Sequence, residues 1–262
     1  MLGLARNCAS HLPEAFDTIA DWRVRGATVR VIIGEDGSTD NTRELVREHA
    51  ELVDTRGGSG PRLERMARAR QKVLEHYTAG ERTDVVLVVD LDGSFLSAIE
   101  LDAIVRARDH LEQPGLFGVS ATSHPYYDLL AFESDTVSFA QLSEEMAAAQ
   151  RRPLTYRRFL ERRVYTAQHE LDRSDDHLCI SAFNGACFYR GSDYAAATYL
   201  SEHGAASVCE HMTLNRQLAA DGRRILVDHA LVVSAPVEHV RSTALRFYAR
   251  AARRGIGRLS GR

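Results

Sequence analysis

The chain has 262 residues, of which 44% are hydrophobic and 26% are charged, and its formal net charge is -3 at pH 7. These values are typical of a globular α/β protein with a substantial core, and they argue against a general binder of nucleic acid.

Neither a membrane span nor a secretory leader is expected. No stretch approaches the roughly 20 apolar residues of a spanning helix, and residues 1–16 lack the apolar core of a signal peptide. The four cysteines form no C-x-x-C pair, which favours reduced thiols. We therefore expect a cytoplasmic protein.

The first half of the chain alternates predicted helices and strands. Ser10 is a candidate cap for the first helix and Thr39 or Asp40 for the second, and Ser97 and Glu100 have the spacing of a capping box. The predicted elements are a helix at 9–22, a strand at 28–34, a helix at 40–50, a helix at 61–77, a strand at 85–89, a helix at 97–111 and a strand at 116–121.

The second half is less regular, with helices predicted near 138–150 and 157–173, a strand at 179–191, a helix at 209–222 and a strand at 223–233. Alternating strands and helices predict an α/β fold, in which a doubly wound, mostly parallel sheet carries helices on both faces. We expect a single domain over residues 1–240, with halves at about 1–122 and 123–240, followed by a basic tail at 241–262.

Two acidic clusters follow predicted strands. Asp90 and Asp92 end the apolar run at 85–89, and Leu91 between them places both carboxylates on one side of an extended strand. Glu35 and Asp36 end the earlier strand in the same way. Ligands of open α/β sheets bind beyond the carboxyl ends of the strands, and paired carboxylates favour Mg²⁺ or Mn²⁺, which could hold a diphosphate. The alternative is ordinary turn and cap chemistry, because glycine and hydroxyl residues surround both clusters.

Several motifs together resemble the GT-A class of nucleotide-sugar glycosyltransferases, of the family 2 type. The segments GEDGSTDNT and VVDLDG, about fifty residues apart, resemble the nucleotide-binding carboxylate region and the metal-binding D-x-D motif of that class. Further similarity, closest to the capsule-associated mannosyltransferase branch, lies in the segments ARN (5–7), RLERMARARQKVL (62–74), PYYDLLAF (125–132), SAFNGACFYRG (181–191) and CEHMTLNRQL (209–218).

The resemblance implies a GT-A fold and a metal-dependent hexosyltransferase in glycan or polysaccharide biosynthesis. The donor would be a GDP- or UDP-linked sugar, the cofactor Mn²⁺ or Mg²⁺, and the acceptor a hydroxyl group of a glycan, a lipid-linked molecule or a small molecule. It also implies the metal ligands Asp92, Asp90 and His239. The nucleotide-binding residues that it implies are Arg6, Glu35, Asp36, Ser38, Arg62, Arg70, Asp90 and Leu91. For Arg62 and Arg70, a solvated helix face is the alternative.

The catalytic base is left open between two residues. Inverting enzymes of the class often carry an E-D-x-x-L pattern, and here Glu210 and His211 stand at its first two positions, so either could deprotonate an acceptor hydroxyl. A first-turn acid that favours the helix dipole is the alternative for Glu210. Contacts to sugar or acceptor are expected from Asn184, Gly185, Ala186, Tyr127 and Asp128.

The basic tail holds seven arginines and no acidic residue, with apolar residues at near-helical spacing. Such a helix can lie on the inner face of a membrane, where lipid-linked acceptors would be found, although its glycines favour a disordered tail. Two alternative functions would leave other signatures in the sequence. A nucleotidyltransferase of similar fold would carry a glycine-rich loop after the first strand, and a catalytically inactive nucleotide-binding module would have lost the Asp90–Asp92 pair; neither feature is seen.

Overall fold

The computed structural model describes residues 1–93, 95–172, 175–201 and 208–236. Its described part contains one sheet with the strand order β3-β2-β1-β4-β7-β5-β8-β6. The strands are β1 (Leu2–Ala5), β2 (Ile32–Glu35), β3 (Glu51–Asp54), β4 (Val85–Asp90), β5 (Leu116–Thr122), β6 (His177–Cys179), β7 (Ala186–Arg190) and β8 (Arg224–Val232).

Six of these strands run in one direction, because β7 pairs antiparallel with β4 and β5, and β6 pairs antiparallel with β8, while the other pairs are parallel. The predicted mostly parallel α/β sheet is therefore confirmed. The parallel arrangement brings the carboxyl ends of β1, β2 and β4 to one edge, where the polar residues that follow them lie close together.

Helices cover both faces of the sheet. They are α1 (Leu12–Val24), α2 (Thr42–His49), α3 (Arg62–Ala79), α4 (Leu101–Leu111), α5 (Leu142–Ala149), α6 (Pro153–Phe159), α7 (Thr166–Leu171), α8 (Gly191–Ala196) and α9 (Glu210–Leu218). Short 3-10 turns lie at Leu96–Ala98 and Leu129–Ala131, and a π-helical turn, Leu160–Tyr165, joins α6 to α7. None of the helices in the described ranges has the length and apolar character that crossing a bilayer requires.

Adjacent strand residues enter different hydrophobic cores. Ile32 and Val88 pack in the core beneath α3 and α9, whereas Ile33 and Val89 pack in the core beneath α1 and α4. Successive side chains of a strand point to opposite faces, so a strand that is covered on both faces must be apolar throughout. This is the physical reason for the uninterrupted apolar run in β4.

The predicted cap residues are not the N-cap residues of the structure. The N-cap of α1 is His11 rather than Ser10, and the N-cap of α4 is Glu100, without a side-chain cap bond. The chain around Ser97 instead forms a separate 3-10 turn, because the flanking Phe95 and Leu96 are buried in the core. The N-cap of α2 is Asn41, but Asp40 of the predicted pair still accepts the backbone N–H of Thr42, the first residue of this helix, through its Oδ1 at 3.1 Å.

Two strand predictions also differ from the structure. The edge strand β3 was not predicted, because its four residues are at least partly exposed and offer no apolar run. The single strand predicted at 179–191 is divided into β6 and β7. Between them Asn184 and Gly185 have positive φ angles of 49° and 83°, a conformation that ends an extended strand.

Candidate active site

Two adjoining cavities open at the sheet edge where β1, β2 and β4 end. The larger, of about 490 Å³, extends from the end of β4 to the start of α9 and the segment after β8. The smaller, of about 210 Å³, extends towards residues 4–6 and Asp36. Arg62, Met66, Asp90 and Asp92 line both cavities, so the two form one continuous cleft.

The end of β4 is tied to α3 by a buried arginine. Nη2 of Arg70 donates to Oδ1 of Asp90 at 2.7 Å, and its Nε lies 3.9 Å from Oε1 of Glu210. The guanidinium also lies over the Phe183 ring, 5.6 Å from its centroid. Arg70 is only 2% exposed, so this cation is shared between two carboxylates from distant parts of the chain.

Leu91 explains how the two aspartates reach the cleft. Its side chain is buried in the core beneath α1 and α4, and a Cβ added to Gly3 would lie 2.6 Å from its Cδ1. Glycine at position 3 therefore makes room for Leu91. With Leu91 anchored on that side, Asp90 and Asp92 both line the cleft, and Asp92 is the exposed member of the pair.

Carboxylates outnumber basic groups in the larger cavity. It is lined by the carboxylates of Asp90, Asp92, Asp128 and Glu210, and by one guanidinium group, that of Arg62. Burial raises the pKa of Asp90 to about 6; the nearby Arg70 charge opposes this rise, and other carboxylates add to it. Burial, followed by the charges of neighbouring carboxylates, raises the pKa of Asp128 to about 7. A cavity with excess carboxylate oxygen fits a hard divalent cation such as Mg²⁺ or Mn²⁺.

The first two residues of α9 face the cleft with different chemistry. His211 is 3% exposed, its ring stacks on Phe183 with centroids 3.6 Å apart, and its Nε2 lies 3.7 Å from Oε1 of Glu210. Within the described residues its Nδ1 is buried without a hydrogen-bond partner. Burial, reinforced by the Arg70 charge, holds the pKa of His211 well below its usual range. The imidazole is therefore neutral, and Glu210 is the acidic group at this position.

Asn184 holds in place the segment with Tyr127 and Asp128, which forms one wall of the cleft. Its side chain is fully buried, and its Oδ1 accepts hydrogen bonds from the backbone N–H groups of Tyr127 at 3.3 Å and Asp128 at 3.2 Å. Ala186 is likewise buried, in β7. These two side chains do not line either cavity; Asn184 positions Tyr127 and Asp128, which do line the larger one.

Gly185 joins that wall to the end of β4. Its carbonyl oxygen accepts the backbone N–H of Asp90 at 2.9 Å. A Cβ at this position would lie 2.6 Å from Oη of Tyr127 and 2.7 Å from the Phe95 ring. Only glycine fits this close approach, and it does so at a φ angle that favours glycine.

The two residues of the second acidic cluster have different positions: Glu35 is buried, and Asp36 lines the smaller cavity. Glu35 is fully buried and forms an ion pair with Arg43, and its Oε1 accepts the backbone N–H of Ser38. Asp36 lines the smaller cavity, where its Oδ2 lies 3.3 Å from Nη1 of Arg6. Glu35 and Ser38 therefore build the turn, and Asp36 and Arg6 face the cleft.

Most of the predicted site residues meet in this cleft, and His239 and the basic tail lie outside the described residues. The cleft also contains residues that sequence reasoning did not select: His11, Met66, Phe95, Leu130, Phe183, Cys209 and residues 234–236. One signal was available for residues 234–236, since they directly follow β8 at the same edge of the sheet. Phe183 and Cys209 carried no such signal, because their place depends on the packing of α9.

Residues 4–111 match the family model of glycosyl transferase family 2. The matched segment spans β1 to α4 and includes Asp36, Arg70 and the Asp90–Asp92 pair. No curated protein matches the sequence.

Several solved glycosyltransferase structures are similar to this chain. A mannosyltransferase from Pyrobaculum calidifontis, in complex with GDP-Man and Mn²⁺, is similar with a TM-score of 0.51 and 16% identity over 96% of this chain and 63% of that chain. Mannosyl-3-phosphoglycerate synthase from Rubrobacter xylanophilus is similar with a TM-score of 0.47 and 16% identity over 98% of this chain and 72% of that chain. Glucosyl-3-phosphoglycerate synthase from M. tuberculosis has a TM-score of 0.47 and 14% identity over 94% of this chain and 73% of that chain.

The family model and the mannosyltransferase structure confirm the predicted GT-A fold and the predicted resemblance to glycosyltransferases of the family 2 type. The match to this family model also confirms the prediction that the protein is a glycosyltransferase.

Proposed function

We propose that the protein transfers a hexosyl group from a GDP- or UDP-linked sugar to a hydroxyl acceptor, with Mn²⁺ or Mg²⁺ as cofactor, in glycan or polysaccharide biosynthesis. One observation carries this proposal. Four carboxylates line a cavity at the strand ends, two of them share the buried Arg70, and a smaller cavity continues from it towards Asp36.

The smaller cavity suits the nucleoside of the donor. Asp36 offers carboxylate oxygens to hydroxyl or N–H groups, and Arg6 beside it can contact the base. Arg62, at the start of α3, is exposed, lines both cavities and forms no ion pair within the described residues. A guanidinium group in that position can bind the oxygens of a diphosphate.

The metal would be held between Asp92, Asp90 and the donor diphosphate. Asp90 is partly neutralised by Arg70, so Asp92 is the better direct ligand and Asp90 suits the ribose or a metal-bound water. The mannosyltransferase with the same fold was solved with Mn²⁺ and GDP-Man together. When bound, the metal acts as a Lewis acid that stabilises the leaving diphosphate. The third ligand implied by the resemblance, His239, stays a prediction.

Glu210 is the group that we assign as general base for the acceptor hydroxyl. It lines the larger cavity and not the smaller one proposed for the nucleoside, whereas the neighbouring His211 is held neutral against Phe183. Tyr127 and Asp128 line the wall that an acceptor would contact. Proton removal by a positioned carboxylate contributes about 10²–10⁴-fold to such reactions.

Calorimetric titration with GDP and with UDP, with and without Mn²⁺, tests the proposal. We expect one nucleotide to bind in a metal-dependent manner to the wild type, and Asp92→Ala to lose the metal dependence. Asp102→Ala is the matched control, because Asp102 is an exposed carboxylate on α4 outside both cavities. Failure of both nucleotides to bind under any metal condition would refute the proposed function, and unchanged binding to Asp92→Ala would remove this residue from the metal site.

A further inference from the structure

A second concentration of charge lies away from the cleft, in residues 151–163, here called the arginine segment. Its sequence, RRPLTYRRFLERR, holds six arginines and one acidic residue, although the whole chain has a net charge of -3. The segment enters α6 and continues through the π-helical turn Leu160–Tyr165. Such a charge imbalance on one helical element indicates an anionic partner.

One face of this helix points away from the core. A shallow groove on the surface is lined by Leu154, Arg157, Arg158, Glu161 and Arg162, which have the i, i+3, i+4, i+7, i+8 spacing of a single helical face. Leu154 is 68% exposed. On the inner side, Phe159 and Val164 pack against the hydrophobic core beneath α3 and α9. The helix is thus anchored by one face and presents arginines around an exposed leucine on the other.

Most of the outward charge has no internal partner. Arg157 lies 3.4 Å from Glu161, one turn away. The side chains of Arg151, Arg152, Arg158 and Arg162 form no ion pair or hydrogen bond within the described part of the chain. Folding therefore leaves four exposed guanidinium groups in the arginine segment, two of which, those of Arg158 and Arg162, line the groove.

The arginine segment lies on the same half of the molecule as the proposed acceptor wall. Helix α6 packs against α5, and α5 packs against the 3-10 turn Leu129–Ala131 that directly follows Asp128. At the other end of the segment, the Arg163 guanidinium lies 5.2 Å from the centroid of the Phe139 ring, which contacts Phe132 next to the same turn. Packing thus links the arginine segment, through α5 and this turn, to the segment that carries Asp128.

We propose that the arginine segment docks the protein on an anionic lipid surface. Unpaired guanidinium groups attract anionic head groups, and Leu154 can enter the boundary with the acyl chains, as in interfacial amphipathic helices. The exposed leucine among the arginines favours a lipid surface over a soluble polyanion, which offers no apolar phase. Docking would bring the larger cavity to a lipid-linked hydroxyl acceptor. This purpose rests on the proposed function, whereas binding to the lipid surface does not. The tail at 241–262 adds seven arginines to the chain.

Vesicle sedimentation with the full chain tests this inference. The wild type is expected to bind phosphatidylcholine vesicles that contain phosphatidylglycerol, to bind pure phosphatidylcholine weakly, and to be released by salt. Each basic residue near an anionic surface changes the partitioning by about fivefold, so Arg158→Gln/Arg162→Gln should lower it by about 25-fold. Leu154→Ser should weaken binding without changing its salt dependence.

Arg47→Gln/Arg108→Gln is the matched control, since these exposed arginines of α2 and α4 remove the same charge elsewhere. Thermal unfolding and metal-dependent nucleotide binding show whether each variant is folded, and they also keep this test separate from that of the proposed function. Wild-type indifference to anionic vesicles overturns the inference, as does equal binding by the two double variants. Retention on heparin without vesicle binding also overturns it, and would indicate a soluble polyanion as the partner.

Discussion

Removing the guanidinium of Arg70 is expected to destabilise the fold strongly. In Arg70→Met the apolar stem is largely kept, but Asp90 and Glu210 lose the cation that they share. Breaking a buried ion pair by removing one partner costs about 3–5 kcal/mol, because a buried charge is left unpaired. Glu210 is almost fully buried, whereas the Asp90 side chain is 32% exposed and water partly compensates its charge. We therefore expect a loss of about 3 kcal/mol in the free energy of unfolding at pH 7.

Urea unfolding followed by circular dichroism in metal-free buffer measures this loss. Arg56→Met is the matched control, because Arg56 pairs with Asp54 on the surface and such pairs contribute about 0–1 kcal/mol. The double variant Arg70→Met/Glu210→Gln should recover about 1–2 kcal/mol relative to Arg70→Met, since one of the unpaired charges is removed. A loss no larger than that of Arg56→Met, or a double variant equal to the sum of the singles, would refute the reasoning.

Three further outcomes are expected from the same structure. Gly185→Ala should lose about 2–3 kcal/mol of stability in urea unfolding, because its Cβ would meet Tyr127 at a positive φ angle. Gly222→Ala, also at positive φ but with open space around it, should lose about 1 kcal/mol. Equal losses would contradict the contact with Tyr127. The pKa of Asp128 is raised to about 7, so its contribution to stability is present at low pH and is lost as the pH rises from about 4 through 7. A rise of the pKa from about 4 to about 7 corresponds to about 4 kcal/mol, so Asp128→Asn should be more stable than the wild type by up to about 4 kcal/mol at pH 8 without metal and about equal to it at pH 4. Urea midpoints at the two pH values measure this difference. Glu210→Gln should lower the release of nucleoside diphosphate from the sugar donor by about 100-fold or more while metal-dependent nucleotide binding persists, and retained turnover would exclude Glu210 as the base.

Local patterns in the sequence were sufficient to predict strands β2, β4, β5 and β8 and one edge of the site. The apolar run before Asp90 indicated a strand buried on both faces, and the parallel sheet then placed Asp36, Asp90 and Asp92 at one edge. Such predictions succeed because side-chain alternation and strand ends are properties of a few consecutive residues. The helix caps failed for the opposite reason: the burial of Phe95 and Leu96 outweighed the weak local preference of Ser97 for a cap.

The chemistry of the cleft was decided by tertiary structure. Nothing in the spacing of the arginines on α3 showed that Arg70 is buried while Arg62 is exposed, because that difference depends on where α9 packs. The antiparallel insertion of β7 between β4 and β5 brings Gly185 to the backbone of Asp90, and α9 brings Glu210 to Arg70 across 140 positions of the chain. By itself, the sequence determined which acidic residues lie at the strand ends. Only the packing of distant segments decided which of these charges share a buried partner, because burial and pairing depend on neighbours that are remote in the sequence.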